Sequence, residues 1–191
     1  MTIGVLFVCT GNICRSPTAV GVFRTMAQRA GLAEVFRIDS AGTSVGHAGQ
    51  AASLLAVEAA KRRGYDLAGH HARSLTNEDI ERFDYPLAMD RSHLAVMRWM
   101  APRSLVERPQ MFLKFAPELH LVEVPDPFGG RAPDYERALD LIEKGLRRAA
   151  RGPHFFGENG HLRPSSPSRF TTLKVRRETS LSKSLNGRLP Q

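Results

Sequence analysis

Five residues separate Cys9 from Arg15, and Ser16-Pro17 follow at once. A thiolate is a strong nucleophile, a guanidinium can grip two oxygens of a phosphoryl group together, and a serine hydroxyl can donate to sulfur. Taken together, these residue types suit attack on phosphorus with a phosphocysteine as intermediate. A second landmark is Asp126, held between Pro125 and Pro127. An aspartate restrained on both sides wanders little, which is what a general acid requires.

Positioning such groups requires particular elements. Val5-Leu6-Phe7-Val8 is a short apolar run that stops at Cys9, and apolar periodicity resumes beyond Pro17. This reads as a buried parallel strand, a tight loop and the first turn of a helix. Successive backbone N–H groups of such a loop can point inward while the helix adds its positive end, forming an oxyanion cradle. Thr10, Gly11, Asn12, Ile13, Cys14, Arg15 and Ser16 would line it. Gly11 and Asn12 tolerate positive φ, and Pro17 suits the first helical turn, so the loop can curl.

The stretch resembles the phosphate loop of the low-molecular-weight protein tyrosine phosphatases, Cys-x5-Arg followed by Ser or Thr and commonly Pro, and is nearest to bacterial-type members. The resemblance implies an α/β fold, an open four-stranded parallel sheet of order 2-1-3-4 with helices on both faces. It also implies hydrolysis of phosphate monoesters, foremost protein phosphotyrosine, with Cys9 as nucleophile, Arg15 binding phosphate and Asp126 as general acid. Ser40 would bond to Asn12, and His70, two residues before the Ala72-Arg73 pair, would buttress the loop. No cofactor or metal is implied. Cys9 and Cys14 match a pair in the family that could form a protective disulfide; a small buried filler is the other reading of Cys14.

Composition bounds the setting. The chain has 191 residues and a formal charge of +8. Residues 1–150 carry 19 basic against 17 acidic side chains, whereas 151–191 carry 8 against 2, so the excess lies in the tail. With no zinc spacing and no aromatic-basic ribbon, nucleic acid is not an expected partner. Two cysteines, both in the loop, point away from a disulfide framework and toward a reducing compartment. No stretch reaches the roughly 20 apolar residues of a membrane span, so the expected location is cytoplasmic. The phosphatase domain is expected over 1–151. The Ser/Pro/Arg-rich 152–191 is expected to be disordered, with an acidic partner as its functional alternative.

In chain order, a helix is expected over 19–30 and a strand over 35–38, delivering 39–43 as a loop on the same rim as Cys9. A helix follows over 50–63. His70-His71 lacks a third ligand at a useful spacing, so metal is discounted and His71 is expected at the surface. Thr76 and Asp79 read as a capping box. A third strand over 85–90 contains Pro86, expected at its first residue or at an irregularity. Helix 93–100, a loop over 109–117, a fourth strand over 121–124 and a last helix over 133–148 complete the domain.

Specificity is less legible. Where the family commonly places aromatic rim residues, this chain has Gly46, Phe128 and Gly129, leaving one phenylalanine as a substrate wall. A related branch acting on phosphoarginine resembles the chain at Thr10 but has a polar residue at the position of Ile13, and apolar Ile13 favours an aromatic substrate. The expected partner is a phosphorylated protein, a tyrosine kinase being one candidate. The alternatives are a phosphoarginine phosphatase, an arsenate reductase on the same fold, which would need relay cysteines beyond Cys14, and a non-catalytic phosphate-binding module.

Overall fold

The computed structural model describes residues 2–151; the tail expected at 152–191 lies outside the described residues. Strand β1 (Ile3–Cys9) is buried at every position, as a central strand covered on both faces must be. It pairs in parallel with β2 (Phe36–Gly42) on one side and β3 (Tyr85–Ala88) on the other, and β3 pairs in parallel with β4 (Gln110–Met111). The order is therefore 2-1-3-4.

Alternation along β1 divides the core. Val5, Phe7 and Cys9 face the larger cluster, built with helices α1 (Arg15–Arg29), α2 (Leu54–Arg62) and α5 (Ala132–Arg151). Leu6 and Val8 face the smaller one, which includes Ile80 of α3 (Asn77–Arg82) and Met97 of α4 (Arg91–Met100). Phe7 lies edge-on to Phe23 and Phe112, at centroid distances of 6.2 and 5.6 Å. That geometry suits aromatic quadrupoles.

Several expected elements move. The fourth strand is Gln110–Met111, within the stretch expected to be loop, and 121–124 is not a strand. Leu121 and Val122 are about half exposed, and only Val124 turns inward, its N–H donating to Met89 O at 2.9 Å. A two-residue edge strand is too short to show alternation, whereas 121–124 carries an apolar pattern of which only Val124 enters the core. β2 runs on to Gly42, so the loop expected over 39–43 is mostly strand and Ser40 sits inside the sheet rather than beginning a turn. Helix α1 begins at Arg15 rather than near 19, and α2 begins only at Leu54.

Pro86 is the second residue of β3, opposite Leu6. Met89 N donates toward β1, to Val8 O, so by alternation the nitrogen of Pro86 faces the other edge, where β4 reaches only Leu87 and Ala88. No ladder bond is lost there.

Gly21 lets α1 press onto the chain after α2. A β-carbon there would lie 2.9 Å from Asp66 O and 2.8 Å from Leu67 Cδ1. Gly21→Ala is expected to destabilise the protein by about 1–3 kcal/mol, despite alanine's higher helix propensity, and a urea denaturation midpoint checks it.

Candidate active site

The loop after β1 is shaped by what its carbonyls bond to. Cys9 O accepts from Thr43 N, Thr10 O from Ser44 N, Asn12 O from His70 Nε2, Ile13 O from Ser53 N, and Cys14 O from Thr18 N and Oγ1. All of these donors lie on the surrounding chain or on α1. A planar trans peptide sets its N–H opposite its C=O, so carbonyls drawn outward turn the N–H groups of Thr10, Gly11, Ile13, Cys14 and Arg15 toward the concave side. The N-terminus of α1 opens on that side, with Cys14 as its N-cap.

Asn12 is the pin of the loop. It takes the left-handed conformation, φ 55°, and is fully buried. Its Nδ2 donates to Ser16 Oγ and to Ser40 Oγ, each at 2.9 Å, and its Oδ1 accepts Arg73 N at 2.9 Å. His70 Nε2 donates to its carbonyl at 2.6 Å, and burial pushes the His70 ring below its ordinary pKa, keeping it neutral. Arg73 is itself braced by Asp39 at 2.8 Å and Asp79 at 2.7 Å. Asp79 and Thr76 form the capping box of α3. His71 is exposed.

Cys9 Sγ lies 2.9 Å from Ser16 Oγ. Because Asn12 Nδ2 donates to that hydroxyl, the hydroxyl's own hydrogen is free to point at sulfur. Arg15 is 3% exposed and is gripped from both sides: Nη1 donates to Asp90 Oδ2 at 2.8 Å and Val124 O at 3.1 Å, and Nη2 to Asp126 Oδ2 at 2.7 Å. Its Nε, buried, has no hydrogen-bond partner among the described residues. Asp126 also accepts Phe128 N, at 3.2 Å.

Cys9, Thr10, Gly11, Ile13 and Arg15 floor a cleft whose sides are Ser44 and His47 against Asp126 and Phe128. Gly46 is exposed and does not line the cleft; its neighbour His47 does. The His47 and Phe128 rings meet edge to face, 5.7 Å apart at 67°, so the rim has two aromatic groups rather than one. Cys14 also lines the cleft; its Sγ lies toward Ser53 Oγ at 3.4 Å and Tyr135 Oη at 3.8 Å, and burial pushes its thiol above the ordinary value. Both cysteines are free thiols.

Sequence reasoning missed Asp90, His93 and His47. Asp90 caps α4 at the carboxyl end of β3, beside the switch point, and its Oδ1 accepts His93 N at 3.1 Å. An aspartate three residues before a histidine at a strand-to-helix junction was the available signal for the first two. A histidine between small residues in the loop after β2 was the signal for the third.

Against protein families, residues 4–152 match the model of the low molecular weight phosphotyrosine protein phosphatases. The chain is 36% identical over 146 residues to the low molecular weight protein-tyrosine-phosphatase YfkJ of Bacillus subtilis, covering 76% of this chain and 92% of that one. The crystal structure of YfkJ superposes with a TM-score of 0.73 at 34% identity, over 78% of this chain and 92% of that one. A protein tyrosine phosphatase from Entamoeba histolytica superposes with a TM-score of 0.74 at 33% identity, over 77% and 94%. Among the described residues no helix is long and apolar enough to cross a membrane.

The buried His93 ring yields a pH prediction. Burial lowers its pKa from 6.5 to about 4, so between those values the unfolded chain binds more protons than the folded one. The stability contributed by neutral His93 is complete above pH 6.5 and is lost as the pH falls toward 4, by up to about 3 kcal/mol. Urea unfolding at pH 7, 6, 5 and 4 should show the wild type losing more stability across that window than His93→Gln does.

Proposed function

The chain belongs to the low molecular weight protein-tyrosine phosphatase family, and on that premise we propose that it hydrolyses protein phosphotyrosine through a phosphocysteine on Cys9. One observation carries the mechanism: around the Cys9 sulfur, inward-facing amides, the N-terminus of α1 and a buried Arg15 with an unpartnered Nε converge on one concave floor. Inward-facing amides beside a guanidinium whose Nε has no partner among the described residues fit a tetrahedral dianion.

The Cys9 thiolate, held by the Ser16 hydroxyl, attacks phosphorus in line, and the ester P–O bond breaks as the S–P bond forms. Arg15 and the loop amides carry the equatorial oxygens, whose charge is greatest in the transition state. In the free protein Asp126 rests on Arg15 Nη2. An arriving phosphoryl group competes for that N–H; the displaced Asp126 carboxylate takes up a proton, from solvent or from an arriving phosphate monoanion, turns to the leaving oxygen and gives it that proton. In the second step, ionised Asp126 takes a proton from water, whose oxygen attacks phosphorus. The S–P bond breaks, and phosphate and the thiolate are released.

Asp90 and Val124 O hold Arg15 Nη1 on the side away from Asp126, keeping the guanidinium plane set before substrate arrives. Apolar Ile13 and the His47–Phe128 pair favour a flat aromatic leaving group over a flexible guanidino one. His47 is steadied by Gln50, with Nδ1 2.9 Å from Oε1, and so presents a fixed ring edge.

With p-nitrophenyl phosphate under reducing conditions, Cys9→Ser should be inactive and Asp126→Ala should lose roughly 10²- to 10⁴-fold in kcat. A well-folded wild type that binds vanadate yet turns over no aryl phosphate would leave only a phosphate-binding module.

The walls are tested separately. His47→Ala and Phe128→Ala should each raise KM for a phosphotyrosine peptide several-fold, roughly 1 kcal/mol of ring contact, while inhibition by inorganic phosphate is unchanged. Equal loss for phosphotyrosine and phosphoarginine peptides would remove the case for an aromatic slot.

A further inference from the structure

Thr10 follows the nucleophile directly, lies exposed on the cleft floor, and carries a hydroxyl that backbone-mediated phosphate binding does not use. Its Oγ1 is 2.9 Å from Nε2 of His93, a ring that is 1% exposed and buried behind the loop. Which of the two donates follows from the other ring nitrogen. Nδ1 accepts the Asp90 N–H at 3.2 Å, within the reciprocal cap that starts α4. Asp90 Oδ1, also near Nδ1 at 3.0 Å, already accepts His93 N and Ser92 Oγ. Burial keeps the ring neutral, so its single hydrogen is on Nε2 and is donated to Thr10.

A hydroxyl has two lone-pair directions and one hydrogen. His93 Nε2–H occupies one lone pair of Thr10, and Arg15 Nη2, at 3.4 Å, approaches the other. What remains is the O–H hydrogen, on the cleft side. On the reading of the site as a phosphatase centre, we propose that His93 is a positioning residue for phosphoryl transfer, locking Thr10 so that its hydroxyl hydrogen is donated to a phosphoryl oxygen in the cleft. Thr10 then adds a side-chain donor to a cradle otherwise made of backbone amides and Arg15. Asp90 serves both parts of this arrangement, orienting His93 through its backbone N–H and holding Arg15 Nη1 through its carboxylate. The Thr10 donor and the Arg15 fork are thereby set by one helix cap.

The test is a double-mutant cycle read by vanadate affinity, measured by calorimetry, beside kcat and KM for p-nitrophenyl phosphate. Thr10→Val and His93→Leu should each weaken vanadate binding roughly 10-fold, the worth of one hydrogen bond to an anion. The double variant should lose no more than either alone, because the two residues act as a unit. His93→Gln, whose side-chain amide can supply an N–H in place of Nε2–H, should recover most of the affinity. Wild-type affinity in Thr10→Val overturns the proposal, as do losses that multiply in the double variant. If His93→Leu does not fold, Thr10→Val with His93→Gln decides. Vanadate affinity stands apart from turnover, so a wild type that binds but does not hydrolyse sinks the phosphatase reading while the cycle still judges the Thr10–His93 pair.

Discussion

The structure turns on one buried asparagine. Asn12 sits in the left-handed region, where most side chains are strained and asparagine is tolerated. Its amide and carbonyl groups are spent on Ser16, Ser40, Arg73 and His70. These bonds tie the loop after β1 to β2, to the 70–73 segment and to the first turn of α1. A loop with most of its carbonyls drawn outward by its neighbours presents its amides inward without paying for reorganisation when an anion arrives. The extended β2 makes this possible, since Gly42 lies where a β-carbon would meet Thr10 O at 2.7 Å and Asn12 N at 3.2 Å.

Charge is arranged around the same floor. Arg15 is almost wholly buried and has two carboxylates within 2.8 Å, Asp90 beneath it and the more exposed Asp126 toward the mouth. Burying a guanidinium is costly unless its donors are matched. Asp90 and Val124 O match the inner side permanently. On the mechanism proposed above, Asp126 on the outer side is a partner that a phosphoryl group replaces, and Nε, without a partner among the described residues, adds a donor for the same group. On that reading resting state and reaction share one guanidinium, and the exchange of partners links substrate binding to release of the acid.

Much of this was legible in the chain. The apolar run ending at Cys9 marked the central strand, Cys9 to Pro17 marked the loop and helix start, and Asp126 between prolines marked a restrained carboxylate, because each signal is local and covalently continuous. The four-stranded order followed from the resemblance. The fourth strand was misplaced because two residues at a sheet edge carry no period, while the apolar pattern at 121–124 covers a segment that only touches the sheet at Val124. Small residues at 40–42 read as a loop, yet Gly42 leaves the space that Thr10 O and Asn12 occupy, Ser40 bonds to Asn12, and Ala41 sits in the smaller core cluster.

The sequence by itself determined the nucleophile candidate, the arginine that closes the five-residue loop after it and the central buried strand, since residue type and spacing along one continuous stretch suffice for these. Only the tertiary structure decided that Asp90 and Asp126, 75 and 111 residues from Arg15 in sequence, share its guanidinium. It alone placed His93 against Thr10, 83 residues away, and His47 against Phe128. Such pairings depend on which strand ends meet at the switch point, and parallel strands joined by helices bring together residues that no local pattern connects.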